Sequence, residues 1–354
     1  MIKIAYIPYS EDLSHPADRR RIKSWADHFD QNLIIGEIGS ADILVLSNAS
    51  NFEYWINRSE IPIVLDLVDS YLGDQVLNFR DLGRNILRSI KKKSSLKWIF
   101  YSRHLKFAVS NAHAVVVASQ EQKSILEKFN SNIYIIPDNF IEFENHSQNI
   151  DLQQNTFPPD SHDKFIVWEG FAENLKHFKP VAPQFERFLL ETGWRLHIIT
   201  SESFAQWGGF VRRLETINYL KDIFPNSHHL IKLVPWSIDN LIHNVRQSRF
   251  AVIPIDHRNL FAFYKPENKL ISFLKLGKPA LISTTPAYIR VADSAGLQSL
   301  LVIEGGWYKS LMKLSESVTE DGWTIPSAQK FLDGNYSNQS IVNKWNLMFA
   351  ETLR

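Results

Sequence analysis

The sequence contains no cysteine, so disulfides and thiolate metal sites are excluded, and a reducing compartment is the simpler environment for the chain. The 12 histidines show none of the spacings that hold zinc. We therefore predict no metal and no bound cofactor.

An excess of charge of one sign is also lacking. The chain has 39 Lys and Arg against 38 Asp and Glu, a formal net charge of +1. This balance gives no global reason to expect nucleic acid as a partner. No apolar run approaches the roughly 18 residues of a transmembrane helix. The first residues are typical of a strand and not of a signal peptide. A cytoplasmic protein is predicted, with membrane contact only at its surface.

Three catalytic motifs are missing as well. There is no G-x-G-x-x-G after the first strand and no G-x-x-x-x-G-K-[ST], which argues against a dinucleotide oxidoreductase and a P-loop enzyme. The G-x-S-x-G of α/β-hydrolases does not occur either.

What is present is an alternation of short apolar runs with amphipathic segments. In the first half the runs are IKIAYIP (2–8), NLIIGEI (32–38), ADILVLSN (41–48), PIVLDLVD (62–69), AVVVAS (114–119) and NIYIIPD (132–138). In the second half they are FIVWEG (165–170), WRLHIIT (194–200), LIKLVPW (230–236), RFAVIPID (249–256), PALIST (279–284) and LLVIEGG (300–306). Strands buried on both faces and separated by helices indicate parallel α/β sheets.

A polar stretch between Glu142 and Lys164 separates the two halves. We predict two doubly wound, Rossmann-like α/β domains, 1–155 and 156–339, that face each other across a cleft.

The stretch FAFYKPENKLISFLKLGKPALISTTP (261–286) has the signals of a short helix. Apolar residues recur at helical spacing over 266–276, Pro266 suits a first turn, Gly277 suits a left-handed C-terminal position, and Pro279 prevents continuation.

The first turn of this helix is charged. It carries Glu267, Asn268 and Lys269, with Lys265 just before. A helix N-terminus at the carboxyl edge of an open α/β sheet, flanked by lysines, favours an anion, most simply a diphosphate. A solvated, ordinary helix start is an equally weighted alternative.

The unit from Ser248 to Pro286 resembles the donor-binding segment of GT-B glycosyltransferases, particularly the "group 1" retaining class. Many bacterial members have a strand ending in Pro, a variable loop, Lys-x-x-Asn-Lys-Leu, a helix and Leu-Gly-Lys-Pro. The matching residues here are Pro254, Lys265, Asn268, Lys269, Leu270, Leu276, Gly277, Lys278 and Pro279. The resemblance implies a GT-B fold, with an acceptor-side N-terminal domain and a C-terminal domain that binds a nucleotide sugar.

Other segments resemble the same class. VWEGFAENLKHF (167–178) is similar to the first strand and loop of the donor domain, where Gly170 would let the backbone approach the phosphates and Lys176 would contact them. The loop with Trp236 would lie against the nucleotide base. The last segment, 340–354, would pack back on the N-terminal domain.

The sequence also departs from that class. The two glutamates of its Glu-x7-Glu motif, which hold the donor sugar and ribose, fall at Tyr264 and Ser272. The usual arginine of the first donor loop falls at Phe171, and the acceptor-side His-Asp pair falls at Val68 and Asp69.

Glycosyl transfer requires a group that handles the acceptor proton. Asp66 and Asp69 lie toward the carboxyl end of an apolar run and point to opposite faces, so one of them is expected to reach the cleft. We favour Asp69 as the catalytic carboxylate and keep Asp66 as the second candidate; a turn acid is the alternative for Asp69. Glu267 is expected to replace part of the missing glutamates, or only to complement the helix dipole.

Two further groups of residues are candidates for contact with a ligand. Asp256, with His257, follows a strand end and is placed among the donor-binding residues. Arg19, Arg20 and Arg21 open the first helix, where a phosphorylated acceptor or bulk solvent is the expected neighbour.

The interval from Leu82 to Gln120 contains eight Lys or Arg and no acid. Aromatic residues alternate with these cations across 84–107, a pattern that suits an anionic membrane surface. A basic helix with core aromatics is the alternative.

The predicted function is transfer of a sugar from a nucleotide-diphosphate sugar to a saccharide, glycolipid or metabolite, in polysaccharide or glycoconjugate biosynthesis. A lipid-linked acceptor would place the protein at the inner membrane face. The alternatives are a GT-B-fold sugar-nucleotide epimerase and a non-catalytic glycosyltransferase-like binding subunit.

Overall fold

The structure is a computed structural model that describes residues 2–69, 101–143, 164–205, 213–317 and 326–354. The chain divides into two compact units. The first comprises Met1–Ile141, Tyr264–Pro266 and Asp333–Arg354, and the second comprises Glu142–Phe263 and Glu267–Leu332.

The described elements alternate as the apolar pattern predicts. The strands are β1 (Ile4–Ile7), β2 (Ile34–Ile35), β3 (Ile43–Ser47), β4 (Ile63–Leu67), β5 (Ala114–Val117), β6 (Ile133–Ile135), β7 (Phe165–Glu169), β8 (Arg195–Thr200), β9 (Ser203–Ala205), β10 (Arg213–Glu215), β11 (Ile231–Pro235), β12 (Ala251–Ile253), β13 (Ala280–Ser283) and β14 (Leu301–Val302). The α-helices are α1 (Pro16–Arg19), α2 (Ile22–His28), α3 (Phe52–Ile56), α4 (Tyr101–Asn111), α5 (Gln120–Leu126), α6 (Ala182–Thr192), α7 (Thr216–Ile223), α8 (Ile238–Gln247), α9 (Leu260–Phe263), α10 (Asn268–Lys275), α11 (Pro286–Ala295), α12 (Trp307–Ser317), α13 (Pro326–Tyr336) and α14 (Asn338–Thr352).

The first unit is built on a six-stranded parallel sheet in the order β2-β1-β3-β4-β5-β6. Its central strands β3 and β4 are buried along their whole length, because helices cover both faces. The edge strand predicted at 32–38 shrinks to β2, since Gly36 leaves the extended region with φ +79°.

The C-terminal helix α14 belongs to the first unit and covers one face of its sheet. Trp345, Met348 and Phe349 are fully buried there against Trp25 of α2. The indole N–H of Trp25 donates to the Asn346 side chain at 2.8 Å. The C-terminal helix is therefore part of the same unit as the N-terminal strand β1.

The second unit is built on another six-stranded parallel sheet, in the order β11-β8-β7-β12-β13-β14. A small antiparallel pair, β9 and β10, follows β8. Strand β7 lies at the middle of the sheet, and a 3₁₀ segment, Ala172–Phe178, follows it. The prediction of two parallel α/β domains is therefore confirmed.

Helix α10 begins later than the sequence predicts. Pro266 precedes the N-cap residue Glu267 and is not part of the first turn, because the chain becomes helical only at Asn268. The C-terminal end agrees with the prediction, since Gly277 follows the helix with φ +74°.

A buried ion cluster connects three elements of the first unit. Arg21, just before α2, contacts the Asp66 carboxylate on β4 through Nε at 2.7 Å and through a terminal nitrogen at 2.6 Å. Its other terminal nitrogen donates to Asp138 at 3.0 Å and to the Ile136 carbonyl at 2.9 Å. All three charged side chains are almost fully inaccessible to solvent.

The cluster holds one cation and two carboxylates away from water. Burial, opposed by the neighbouring Arg21, raises the pKa of Asp66 and of Asp138. Burial alone would lower the pKa of Arg21, but the two carboxylates raise it above its usual value. Asp66 therefore fixes the position of Arg21 inside the unit, and removal of either partner would leave a buried charge uncompensated.

Replacing Arg21 with Met should destabilise the protein by about 3–5 kcal/mol, because two buried carboxylates lose their cation. Lys23→Met is the matched control, since Lys23 makes only an exposed i,i+4 pair with Asp27 and should cost less than about 0.5 kcal/mol. Urea unfolding measures both values. A loss below about 1 kcal/mol for Arg21→Met would mean that the two acids are neutral in the folded protein.

Candidate functional site

The carboxyl edge of the second sheet gathers most of the residues that the sequence singles out. Gly170 follows β7, Trp236 follows β11, Asp256 lies shortly after β12, and Lys269 lies in the first turn of α10. All strands of this sheet run in one direction, so their carboxyl ends share an edge, where open α/β sheets bind ligands.

Lys269 is fixed against the end of β7. Its ammonium donates to the carbonyl oxygen of Glu169 at 2.7 Å and lies 4.5 Å from the centre of the Trp168 ring. The first contact satisfies a strand-end carbonyl and the second is a cation–π interaction. A side chain from α10 thus reaches the loop that follows the central strand.

Gly170 makes this approach possible. Its φ of +155° is rarely adopted by other residues, and a Cβ added there would collide with the ammonium of Lys269. The same Cβ would lie 3.2 Å from the Trp168 side chain. In the structure Gly170 therefore accommodates a lysine; contact with phosphates stays a prediction.

Trp236 forms a second contact to the end of β7. Its indole N–H donates to a carboxylate oxygen of Glu169 at 3.2 Å, while 41% of the residue stays exposed. Its backbone N–H donates to the Thr200 carbonyl at the end of β8. An exposed aromatic face is therefore fixed beside the same strand end as Lys269.

Glu267 is turned into the protein and not toward solvent. It is 2% exposed and accepts a hydrogen bond from Arg290 of α11 at 2.9 Å. Burial and the nearby Glu267 charge raise the pKa of Tyr288. The described position gives Glu267 a cation partner, and its predicted contact with the donor stays a prediction.

Ser272, where the resemblance places the second glutamate of the related class, has a short side chain. The hydroxyl of Ser272, on α10, donates back to the Asn268 carbonyl at 2.9 Å. Asn268 is half-buried at the start of the helix. The helix thus begins beside Gly170 without presenting a carboxylate from position 272.

Asp256 is held by its neighbours along the chain. Both of its carboxylate oxygens accept from Arg258, at 2.9 Å each. Its backbone N–H donates to Nδ1 of the buried His177 at 3.3 Å. The Arg258 hydrogen bonds lower the pKa of Asp256, which keeps it ionised. Lys176 is exposed on the adjoining 3₁₀ segment.

On the carboxyl edge of the first sheet, the structure separates the two predicted aspartates. Asp66 is inside the ion cluster with Arg21, whereas Asp69, two residues past β4, is partly exposed. Residues 264–266 pack with this unit, and Lys265 Nζ lies 3.4 Å from the Asp69 carboxylate. Asp69 is thus the aspartate of the pair whose side chain reaches the surface.

Among the described residues, no group of three His, Asp or Glu side chains is arranged to hold a metal ion. No described helix is long and apolar enough to cross a membrane. Of the basic segment 84–107, residues 84–100 lie outside the described residues; within α4, Arg103 and Phe107 are exposed.

No family model and no curated protein sequence matches the chain. Solved structures do match. The lipopolysaccharide outer core galactosyltransferase WaaB aligns over 99% of both chains at 10% identity, with a TM-score of 0.57. An E. coli trehalose-6-phosphate structure bound with UDP-2-fluoro glucose aligns over 88% of this chain and 73% of its own, at 11% identity and a TM-score of 0.59.

The chain has the GT-B fold. The predicted fold class is confirmed by these likenesses together with the two parallel sheets. At identities near 10% the likeness concerns the fold and leaves the reaction open.

The same GT-B fold occurs in proteins of other lengths and activities. A UDP-N-acetylglucosamine 2-epimerase from Rickettsia bellii aligns over 100% of this chain and 97% of its own, at 10% identity and a TM-score of 0.55. Against TarM, this chain spans only 54% of the other protein's length.

Sequence reasoning missed three members of this site: Trp168 and Glu169, which contact Lys269, and Arg290, which pairs with Glu267. The two β7 residues immediately precede Gly170, so their place at the strand end was a usable signal. Arg290 is 23 residues from its partner and had no local signal.

Gly170→Ala should displace Lys269 from the Glu169 carbonyl and destabilise the protein by about 1–3 kcal/mol, from collision and backbone strain together. Gly193→Ala is the control, because Gly193 also has a positive φ but open space around it, so only strain remains. Thermal or urea unfolding measures the difference. In a Lys269→Ala background the cost of Gly170→Ala should shrink; equal costs in both backgrounds would disprove the collision.

Proposed function

We propose that this chain is a glycosyltransferase that moves a sugar from a nucleoside diphosphate sugar to a hydroxyl of a saccharide or lipid-linked acceptor. The observation that carries this function is the meeting of Lys269 with the Gly170 turn at the end of β7, beside the exposed Trp236, on a GT-B fold. A fixed cation suits the diphosphate of a nucleoside diphosphate, and an exposed aromatic face suits its base.

The donor diphosphate is assigned to the carboxyl edge of the second sheet. Transfer leaves negative charge on the departing phosphate oxygen, and fixed cations and backbone N–H groups stabilise that charge. Lys269 and the N-terminus of α10 support this role, with Lys176 as a further cation and Asn268 as a polar partner. A contact of Lys265 with the donor stays a prediction, since its ammonium lies 3.4 Å from the Asp69 carboxylate in the first unit.

The nucleoside is assigned to Trp236. Its exposed indole can stack on a base, and its N–H contact with Glu169 fixes the ring orientation. Asp256 lies on the same edge as a further polar contact. Glu267 is not included in this set, because its carboxylate is buried against Arg290.

The acceptor hydroxyl is assigned to Asp69. In the transfer, the hydroxyl oxygen bonds to the anomeric carbon, the bond from that carbon to the diphosphate oxygen breaks with its electron pair on the phosphate, and Asp69 takes the hydroxyl proton. Asp69 is chosen over Asp66 because Asp66 is enclosed with Arg21.

An epimerase is the second candidate, since an epimerase has the same fold at nearly full coverage. It would need unpaired acids beside the donor sugar. On the described edge Glu169, Asp256 and Glu267 contact Trp236, Arg258 and Arg290, respectively. Incubation with a sugar nucleotide separates the two reactions, because transfer or hydrolysis releases the nucleoside diphosphate and epimerisation does not.

The donor site is tested by a thermal-shift or calorimetric screen of the full chain against UDP, GDP, ADP, CMP and dTDP. We expect one diphosphate to raise the Tm selectively. Lys269→Ala should reduce its affinity by about tenfold or more, because a charge-assisted contact to phosphate contributes about 1.5–3 kcal/mol.

Lys275→Ala is the matched control for that screen, because Lys275 is in the last turn of the same helix. It should leave nucleotide affinity unchanged. If no nucleotide stabilises the wild-type protein, a non-catalytic binding subunit becomes the better assignment. If both lysine variants weaken binding equally, Lys269 does not contact the phosphates.

We also propose that the first unit contacts an anionic membrane surface, which would bring a lipid-linked acceptor to Asp69. Helix α4 exposes Arg103 and Phe107, and Lys106 and Lys128 lie 5.6 and 5.3 Å from the centre of the Phe129 ring. Cations beside aromatic groups favour the interface of a bilayer that contains anionic lipids.

The variant Arg103→Glu should weaken binding to phosphatidylserine-containing vesicles by about fivefold or more, since one surface cation contributes about 1 kcal/mol. Arg187→Glu, at an exposed side chain of α6 in the second unit, is the control and should have no effect. Vesicle co-sedimentation measures both. Unchanged binding of Arg103→Glu would exclude α4 from the membrane surface.

A further inference from the structure

A loop in the first unit is held in one shape by a buried carboxylate. Residues 8–15 follow β1, and Asp18 of α1 accepts hydrogen bonds from their backbone. The donors are the N–H groups of Tyr9 at 2.9 Å and of Ser10 at 3.0 Å. The Ser10 hydroxyl at 3.1 Å and the Tyr6 hydroxyl at 2.5 Å complete the set around this carboxylate.

The loop positions His15 through three separate contacts. The His15 backbone N–H donates to the Ser10 hydroxyl at 3.1 Å. Its imidazole stacks on the Tyr9 ring, with centroids 4.9 Å apart and an interplanar angle of 10°. Its Nδ1 accepts the N–H of Ala17 at 3.1 Å and thereby caps α1. The side chain is exposed, yet its orientation is fixed.

The cap determines where the imidazole carries its proton. An Nδ1 that accepts from a backbone N–H has no hydrogen of its own, so the neutral ring carries its hydrogen on Nε2. Partial burial lowers the pKa of His15, opposed by Asp18 and Asp69 and assisted by Arg19, so the neutral form is favoured. Among the described residues, Nε2 has no hydrogen-bond partner.

Asp69 lies on the same edge of the first sheet. Strands β1 and β4 flank β3, so their carboxyl ends are about 10 Å apart, and the charge of Asp69 acts on the His15 ring. The Asp69 carboxylate is an acceptor, whereas Nε2 of His15 is a donor. Between them they match a hydroxyl group, which accepts one hydrogen bond and donates another.

We propose that His15 and Asp69 together bind one hydroxyl of the sugar acceptor, with Nε2–H of His15 donating to the hydroxyl oxygen and that hydroxyl donating to Asp69. His15 is then an acceptor-binding residue and not the group that takes the proton. This inference rests on the proposed transferase function and deepens it by naming the residue that orients the reacting hydroxyl.

The charges around His15 favour a neutral hydroxyl over an anion. Asp18 and Asp69 both act on the ring together with Arg19, and Lys265 lies 3.4 Å from the Asp69 carboxylate. A phosphate or carboxylate placed at Nε2 would meet the two acids, whereas a hydroxyl would meet complementary partners. The site therefore selects by hydrogen-bond pattern and not by charge.

Two substitutions of His15 separate the role of its Nδ1 as the cap of α1 from the role of its Nε2–H as a hydrogen-bond donor. His15→Asn keeps a side-chain acceptor at the cap position, where Asn is among the best residues, but loses the group at the place of Nε2. His15→Gln keeps an N–H at about the place of Nε2 and weakens the cap. We expect His15→Asn to keep the wild-type Tm and His15→Gln to lower it by about 2–4 °C.

Binding is measured on the full chain with ¹⁵N-labelled histidine imidazoles. The spectrum of the free protein should show His15 as the neutral Nε2–H tautomer, with its signals assigned by their loss in His15→Asn. Methyl glycosides of glucose, galactose, mannose and N-acetylglucosamine are then titrated. At least one should shift the His15 signals in the wild type. Binding of that glycoside, followed by calorimetry, should weaken about tenfold in His15→Asn and in Asp69→Asn, but less than threefold in His15→Gln.

Several results would overturn this assignment. His15 would have only a structural role if no glycoside shifted its signals, or if the wild type and His15→Asn bound the glycoside equally. The same conclusion would follow if binding and Tm fell in parallel in both His15 variants. The nucleotide screen with Lys269→Ala is independent of these variants. Nucleotide binding without a glycoside response removes this inference alone. A glycoside response without nucleotide binding removes the proposed transferase and leaves His15 and Asp69 as a sugar-binding pair without an acceptor role.

Discussion

Parallel pairing of every strand in the two six-stranded sheets brings all carboxyl ends of a sheet to one edge. Residues far apart in sequence, such as Gly170 and Lys269, meet for this reason. The edge also concentrates strand-end carbonyls that need hydrogen-bond donors. Lys269 supplies one to Glu169, so the contact that closes the end of β7 also places a cation at the ligand-binding edge.

Much of this arrangement follows from local sequence. Apolar runs of strand length separated by amphipathic segments give the two sheets, and Gly277 ends α10 where its permissive backbone indicates. The place of Lys269 near the carboxyl edge follows from its position in the first turn of α10, in the connection between β12 and β13. Its partner atoms do not, because they depend on the distance between β7 and α10, which only packing determines.

Contacts between distant buried groups account for what the sequence did not reveal. Asp66 is predicted as the second catalytic candidate because it lies near a strand end, and its contact with Arg21, 45 residues away, had no local signal. Glu267 is predicted to replace part of the missing glutamates, and its contact with Arg290, which is 23 residues away, had no local signal either. His15 gave no signal, since its orientation depends on how Asp18 folds the loop. In each case the position of the side chain depends on hydrogen bonds or an ion pair that involve a buried polar group.

The carboxylates of the second unit explain how the proposed chemistry differs from that of the class this chain resembles. The resemblance places the two donor-holding glutamates of that class at Tyr264 and Ser272, and the Ser272 hydroxyl donates to the Asn268 carbonyl. Glu169, Asp256 and Glu267 contact Trp236, Arg258 and Arg290. Under the proposed function, the donor is then held by cations and backbone at the second sheet. Asp69 of the first sheet is then the proposed proton acceptor, since its carboxylate is partly exposed, and Lys265 lies 3.4 Å from it.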